Sequence, residues 1–502
     1  MRIQRLIPSF LAAVLSVAAF AATNGTTALV DAAKNRDAES VRVLLKQHVD
    51  VNAPEVDGTT ALHWAAHWGD LETVDALLTA GANVTALNRY GATPLSEAVR
   101  IGSGPLIEKL IQAGADPNTF ATAQAETVLM AASRDGNLDA VKVLLAHGAE
   151  VNAKENFRGQ TALMWASAEG HADIVSFLAT HGADLNVRSY DRDTTLPKME
   201  AGTPTAPISR GGLTALLFAA RQGQMDAARA LLDAKADINA VDSDGNNALV
   251  LSTLNGHYDL ALFLIDRGAD ANIAAKNGRT PLYSAVEMHD VDWSPRPARK
   301  ETDTHTSMDV IHALVDHKAN VNAQLTGTAA IQKHAQDMGD KTMAAGTTPF
   351  TRAARSADVE LMHYLLDHGA DPKLVGKDNQ TALIVASGVS YNDHIKGSEA
   401  AALEAVKLCV SLGLDVNAAT DKGETALHGA AHRGADTIAK YLIENGANVK
   451  ARNKHGFTAL DLAMGKGGYN GGPGPVHETT ATLIRQAGGE PGQEIKETAK
   501  AE

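Results

Sequence analysis

The 502-residue sequence predicts an all-α solenoid of about twelve helix-turn-helix repeats, joined by β-turn fingers and broken by five loop insertions. Three observations carry this. A Thr-Ala-Leu or Thr-Pro-Leu triplet returns along the chain at near-constant spacing. Some 17 to 19 residues after it comes a Leu-Leu-like pair, then Gly-Ala-Asp or a relative, then Val-Asn or Pro-Asn. Aromatic residues are only 4% against 44% hydrophobic residues, with 43 glycines, so the apolar surface is cut into many thin slices. Repeat proteins have this composition because each unit adds one slice to a continuous core.

The first element is a leader. Arg2 and Arg5 give a positive n-region, Leu6 to Phe20 is apolar, and Ala19-Phe20-Ala21 supplies an A-x-A pattern, so residues 1–22 read as a signal peptide cut after Ala21 or Ala22. The apolar run is short for a membrane span, which needs about 20 residues, and no other long apolar segment follows. The expected location is therefore periplasmic or secreted. Cys409 is the only cysteine, so no intramolecular disulfide can form. The formal charge is −14, or −16 without Arg2 and Arg5, and no basic stripe relieves it; nucleic-acid phosphates would be repelled.

The solenoid is expected over residues 23–488. Its triplets begin at Thr27, Thr60, Thr93, Thr127, Thr161, Thr214, Asn247, Thr280, Thr348, Thr381, Thr425 and Thr458. The successive steps are 33, 33, 34, 34, 53, 33, 33, 68, 33, 44 and 33. Each Thr is placed to cap a first helix, with Pro or Ala in the first turn. Leu62, Ala65 and Ala66 fall on one face at i, i+3, i+4, small enough for close stacking. A Gly such as Gly69 or Gly170 stops that helix. The long steps place insertions near 188–211, 288–307, 324–345, 391–399 and 465–480. The tail at 489–502 is polar and expected to be disordered.

These motifs match the T-P-L-H-x-A signature at period 33, and the chain resembles the ankyrin-repeat family over essentially its whole mature length. It is also similar to long exported ankyrin proteins of environmental Gram-negative bacteria, through stretches such as Glu404-Ala405-Val406-Lys407-Leu408-Cys409. The resemblance implies a binding scaffold whose finger tips and first-helix ends line a concave face. By register that face would present Asp57, His67 and Trp68 in repeat two and Arg89, Tyr90 and Arg100 in repeat three. Arg134 follows in repeat four, then Phe157 and Arg158 in repeat five. Interface anchors are enriched in Trp, Tyr and Arg. Trp64 and Trp165, one position after the His of the motif, are expected in the core.

Catalytic signals are weak. His63/His67 and His428/His432 have a chelating i, i+4 spacing, but the first of each pair holds the family's structural His position and no third ligand is identifiable. Gly465-Lys466-Gly467-Gly468 lacks the P-loop hydroxyl and strand. No catalytic residue, cofactor or metal is assigned. The leading expectation is a monomeric, non-enzymatic scaffold that grips an unidentified protein partner. Two alternatives stand beside it. One is a small-molecule, sugar or metal site, catalytic or not, built by the C-terminal insertions around His289, Asp292, His394 and His477. The other is a secreted effector acting on host proteins.

Overall fold

The computed structural model describes residues 27–122, 125–191, 211–289, 302–327, 343, 345–388, 398–467 and 473–493. The leader expected at 1–22 lies outside them, as does the greater part of the insertions expected near 188–211, 288–307, 324–345 and 391–399. The described residues form 24 α-helices in twelve consecutive pairs, and each pair starts at one of the twelve triplets. They fall into two compact units, one up to residue 191 together with 211–237, the other from 238 onward.

In the first unit the pairs are α1 (Ala28–Lys34) and α2 (Ala38–Lys46), α3 (Ala61–Trp68) and α4 (Leu71–Thr79), α5 (Pro94–Ile101) and α6 (Gly104–Gln112). They continue with α7 (Val128–Arg134) and α8 (Leu138–Ala146), α9 (Ala162–Glu169) and α10 (Ala172–Thr180), α11 (Ala215–Gln222) and α12 (Met225–Asp233). First helices stack on first helices and second on second, as α1 on α3 and α10 on α12. The second unit repeats the plan: α13 (Ala248–Leu254) and α14 (Tyr258–Asp266), α15 (Pro281–His289) and α16 (Ser307–Asp316), α17 (Pro349–Arg355) and α18 (Val359–Asp367). Its last pairs are α19 (Ala382–Ala386) and α20 (Glu399–Ser411), α21 (Ala426–Arg433) and α22 (Asp436–Glu444), α23 (Ala459–Ala463) and α24 (Glu478–Gln486).

Helix starts follow from the capping chemistry. The residue before most first helices is extended and offers a side-chain oxygen to the third helical N–H. Thr93 Oγ1 accepts from Ser96 N at 3.2 Å, and Asn247 Oδ1 accepts from Val250 N at 2.9 Å. Pro94 and Pro349 occupy first-turn positions, where a missing N–H costs nothing. Gly69 and Gly170 stop α3 and α9 in left-handed conformation, with φ of 70° and 85°. The small apolar face is fully enclosed: Leu62, Ala65 and Ala66 are at most 1% exposed, and Leu106, Ile107 and Leu110 not at all. Cys409, in α20, is buried as well, and burial pushes its thiol up to about 12, which makes it a poor nucleophile.

Two polar devices tie neighbours together. The Asn of each Val-Asn pair bridges forward to the chain leaving the next second helix, donating from its amide and accepting on its carbonyl. Asn152 Nδ2 donates to Gly182 O at 3.0 Å while its Oδ1 accepts from Asp184 N at 2.8 Å. Asn52 makes the same clamp on Gly81 and Asn83, Asn322 on Gly369 and Asp371, and Asn417 on Gly446 and Asn448. The second device lies at the start of the second helices. Asn137, His171 and Gln224 each bond a carbonyl near the end of the preceding repeat's first helix, at 2.9 to 3.1 Å. Both satisfy backbone groups that a stacked helix pair would leave without partners.

Candidate functional site

The fingers are built by one local rule. A residue with a side-chain oxygen opens the turn and gathers the N–H groups that follow. Asn88 Oδ1 accepts from Tyr90 N at 3.0 Å and Ala92 N at 2.9 Å, and Asp242 Oδ1 accepts from Asp244 and Asn246 at 2.9 and 2.8 Å. Glu155, itself buried, does this with both oxygens, accepting from Phe157, Arg158 and Gln160. Successive tips then join by a backbone bond, Arg89 N to Asp57 O at 2.8 Å and Tyr190 N to Arg158 O at 2.7 Å. In the second unit Lys276 N bonds Asp244 O at 2.9 Å, and Lys454 N bonds Lys422 O at 2.8 Å. Among the described residues no such bond joins the turn at 88–92 to the finger at Phe120. That finger closes instead on its own helix start, through an isolated bridge between Phe120 and Thr127.

Because the turn oxygens face inward, the turn side chains face out. Tyr90 is 62% exposed, Phe120 53%, Phe157 51% and Tyr190 43%, and Trp68 at the end of α3 is 39% exposed. The Arg89 guanidinium lies 5.0 Å from the Tyr90 ring and donates to its hydroxyl at 2.8 Å. Arg158 lies 5.6 Å from the Phe157 ring. The Asp57 carboxylate turns onto Thr59 N at 3.0 Å, and that bond holds its acid below the usual carboxylate range. At the first-helix ends, His67 Nδ1 meets Glu97 at 2.9 Å and Arg100 at 2.5 Å, while Trp68 Nε1 donates to Lys34 O at 3.1 Å. Asp57, Arg89 and Tyr90 thus share one ladder step; His67, Trp68 and Arg100 form a second cluster.

Arg134 stands apart from both. It is paired to the buried Glu126 and to Asp135, and it covers the Trp165 ring at 5.8 Å, so it serves the interior of its repeat. Burial raises the Glu126 acid, an effect the Arg134 charge partly offsets. Trp64 and Trp165 are half-buried rather than core, because the position after the motif His sits beneath the finger. Trp64 Nε1 donates to Glu55 at 3.3 Å. Two exposed rings escaped the register argument, Phe120 and Tyr190, although both are plain in the sequence as the aromatic residue of their finger segments.

The histidines have structural partners. His63 Nδ1 accepts from Thr60 N at 3.1 Å, which leaves the proton on Nε2 to reach Ala92 O of the next repeat at 3.0 Å. His428 spans Thr425 N and Phe457 O in the same way, at 3.2 and 3.2 Å. In the second unit a serine–histidine–aspartate chain forms, with Ser307 Oγ 3.0 Å from His289 Nδ1 and Asp358 Oδ2 3.1 Å from Nε2. Ser307 is buried at the first turn of α16 and Asp358 caps α18 through Leu361 N at 2.9 Å, so the chain ties helix starts together and offers no exposed nucleophile. Asp292 and His394 lie outside the described residues, and His477 sits at the N-terminal boundary of α24, its ring against Gly434. Among the described residues no three His, Cys, Asp or Glu side chains gather closely enough to hold a metal ion, and no helix is long and apolar enough to cross a membrane.

Paired helices, extended fingers and a polar clamp at many of the steps define a stacked-repeat binding framework. The family model described as "Ankyrin repeats (3 copies)" matches residues 5–88, 31–121, 95–189, 200–275 and 216–293, together more than half of the chain. Further ankyrin-repeat models match 345–377 and 410–463. The chain belongs to the ankyrin-repeat family. It is similar to alpha-latrocrustotoxin-Lt1a of Latrodectus tredecimguttatus, 28% identical over 33% of this chain and 10% of the toxin. It is also similar to the ankyrin repeat domain-containing protein OPG015 of Monkeypox virus, 33% identical over 18% of this chain and 21% of that protein. A third relative is the ankyrin repeat, SAM and basic leucine zipper domain-containing protein 1 of Dasypus novemcinctus, 34% identical over 25% of each chain. The chain thus spans a quarter or less of the length of these relatives.

Proposed function

We propose that this protein is a non-enzymatic interaction scaffold, exported through its N-terminal leader, that holds a protein partner on the finger face of its first unit. The observation that carries the reading is the run of exposed rings, Tyr90, Phe120, Phe157 and Tyr190, one on each of four successive fingers. Isolated apolar residues are ordinary on a surface, but exposed rings recurring on successive fingers form a repeated pattern. A face with such a pattern could serve a standard interface of about 1,200–2,000 Å². Trp68, Tyr90 and Phe157 are the anchors, and Arg89, Arg100 and Arg158 flank them.

The test is chemical crosslinking of the full chain in its native compartment, followed by mass spectrometry. The partner should crosslink within repeats two to six, and Trp68→Ala with Tyr90→Ala should cut its retention at least tenfold. Unchanged retention would remove the anchors from the reading. Export is tested separately by fractionation and N-terminal sequencing, which should find a chain beginning at Ala22 or Thr23. A start at Met1 in the cytoplasm would exclude it.

A further inference from the structure

Six cations of the first unit have a carboxylate partner. Lys34 pairs with Glu55 at 3.0 Å, Arg100 with Glu97 at 3.2 Å, Lys142 with Asp139 at 3.4 Å, and Arg42, Lys109 and Arg134 with Glu72, Asp75 and Glu126. Four others do not. Arg36, Arg89, Lys154 and Arg158 make no ion pair among the described residues, and each lies over an aromatic ring instead. Arg36 is 5.4 Å from Trp68, Arg89 5.0 Å from Tyr90, Lys154 5.5 Å from Tyr190 and Arg158 5.6 Å from Phe157. All four rings are exposed. In a chain with 59 acidic and 45 basic residues, these four cations thus stand over exposed rings with no ion-pair partner of their own.

A cation resting on a ring keeps donors beyond those it already uses, here one from Arg89 to the Tyr90 hydroxyl and one from Lys154 to Arg188 O at 2.8 Å, and a guanidinium edge matches a carboxylate with two parallel bonds. The ring face holds the cation in place, so less side-chain freedom is lost when a carboxylate arrives. We propose that the finger face of the first unit binds an extended acidic segment of a protein, its carboxylates taken by Arg89, Arg158 and Lys154 and its apolar residues laid against Tyr90, Phe157 and Tyr190. This rests on the scaffold reading and names the chemistry of its partner. Layers stack about 8–10 Å apart and an extended chain advances about 3.3 Å per residue, so one finger corresponds to roughly three ligand residues. Arg89 and Arg158 sit two fingers apart, and Lys154 reaches from its own finger to the ring of the next. The complementary ligand therefore carries Asp or Glu about six residues apart, with a third about three further on. A nucleic acid fits less well, because its phosphates would run on past these fingers into a surface of net charge −14.

The experiment is selection of a displayed library of random 16-residue peptides on the purified full chain, with the winners resynthesised and measured by fluorescence anisotropy. Enrichment of Asp and Glu at spacings near three and six is expected. Glu→Gln versions should bind at least tenfold more weakly, and raising salt from 50 to 500 mM should weaken the acidic peptides by a similar factor. Arg89→Gln with Arg158→Gln should lose at least tenfold, while Lys142→Gln, at a paired cation, should lose none; circular dichroism on each variant shows that the fold is kept. Selection of neutral or basic peptides, no selection at all, equal binding by the double variant, or equal binding of single-stranded DNA of matched length would overturn the proposal. If acidic peptides fail while Trp68→Ala with Tyr90→Ala still abolishes capture of the native partner, the acidic class falls and the scaffold reading stands. If that double substitution has no effect either, both fall.

Discussion

A ring held between two backbone groups can carry one proton only, and this sets how His63 and His428 respond to acid. Each accepts a backbone N–H on Nδ1 and donates from Nε2 to the next repeat, so a second proton would break the first bond. Burial lowers both below the ordinary histidine value, with the neighbouring carbonyls acting in the opposite direction. The unfolded chain therefore binds protons more readily than the folded one. The stability these residues contribute is complete above about pH 6.5 and is lost as pH falls through that value toward the lower folded one. Thermal melts should show His63→Gln with His428→Gln melting below the parent at pH 7.5 and with a smaller further drop on going to pH 5. An equal drop in both would show that other groups set the acid limit. The role of these two histidines was legible in the sequence, because the motif position alone gives the Thr and the helix start. The ring contacts at the fingers were less so. Tyr90 precedes its triplet by three residues and Phe157 by four, but Phe120 precedes Thr127 by seven and Tyr190 precedes Thr214 by 24, so a fixed register passes over both.

At the scale of the element, fingers and helix starts can be separated by substitution. Thr161→Ala removes the oxygen that accepts from Met164 N and should cost about 1 kcal/mol in denaturant titration. Two glycines with the same backbone sign give a sharper comparison. Gly278 has φ of 81° and a side-chain carbon there would fall 2.5 Å from Thr326 N, where the next finger crosses; Gly369 has φ of 91° and nothing within 4 Å. Both Ala variants carry the left-handed penalty, on the order of 1 kcal/mol. Only Gly278→Ala should also displace the finger, so it should lose clearly more stability than Gly369→Ala and expose the amide of Thr326 to hydrogen exchange. Equal losses would mean that the finger contact contributes nothing. Helix pairs were readable from the triplets because capping is local. The half-burial of Trp64 and Trp165 was not, since it depends on a finger closing over the helix.

For the whole chain, stability within each unit is a sum over neighbours and not the property of one core. Leu178→Ala, at a fully buried position of α10, should cost about 2–5 kcal/mol. Hydrogen exchange should show protection falling first in repeat five and then in repeats four and six, which stack on it, with repeat one least affected. A uniform fall would mean a single cooperative block. The asparagine clamp has a consequence for how such a chain tolerates change. It closes across 31 residues from Asn52 to Asn83 and across 48 from Asn272 to Asn320, with amide-to-carbonyl distances of 3.2 and 3.0 Å. Pitch at this joint is therefore dictated by the bracket and is indifferent to contour length between α15 and α16. A cassette of foreign residues spliced there would hang outside the frame without changing its gauge, making that joint a natural place to graft new cargo.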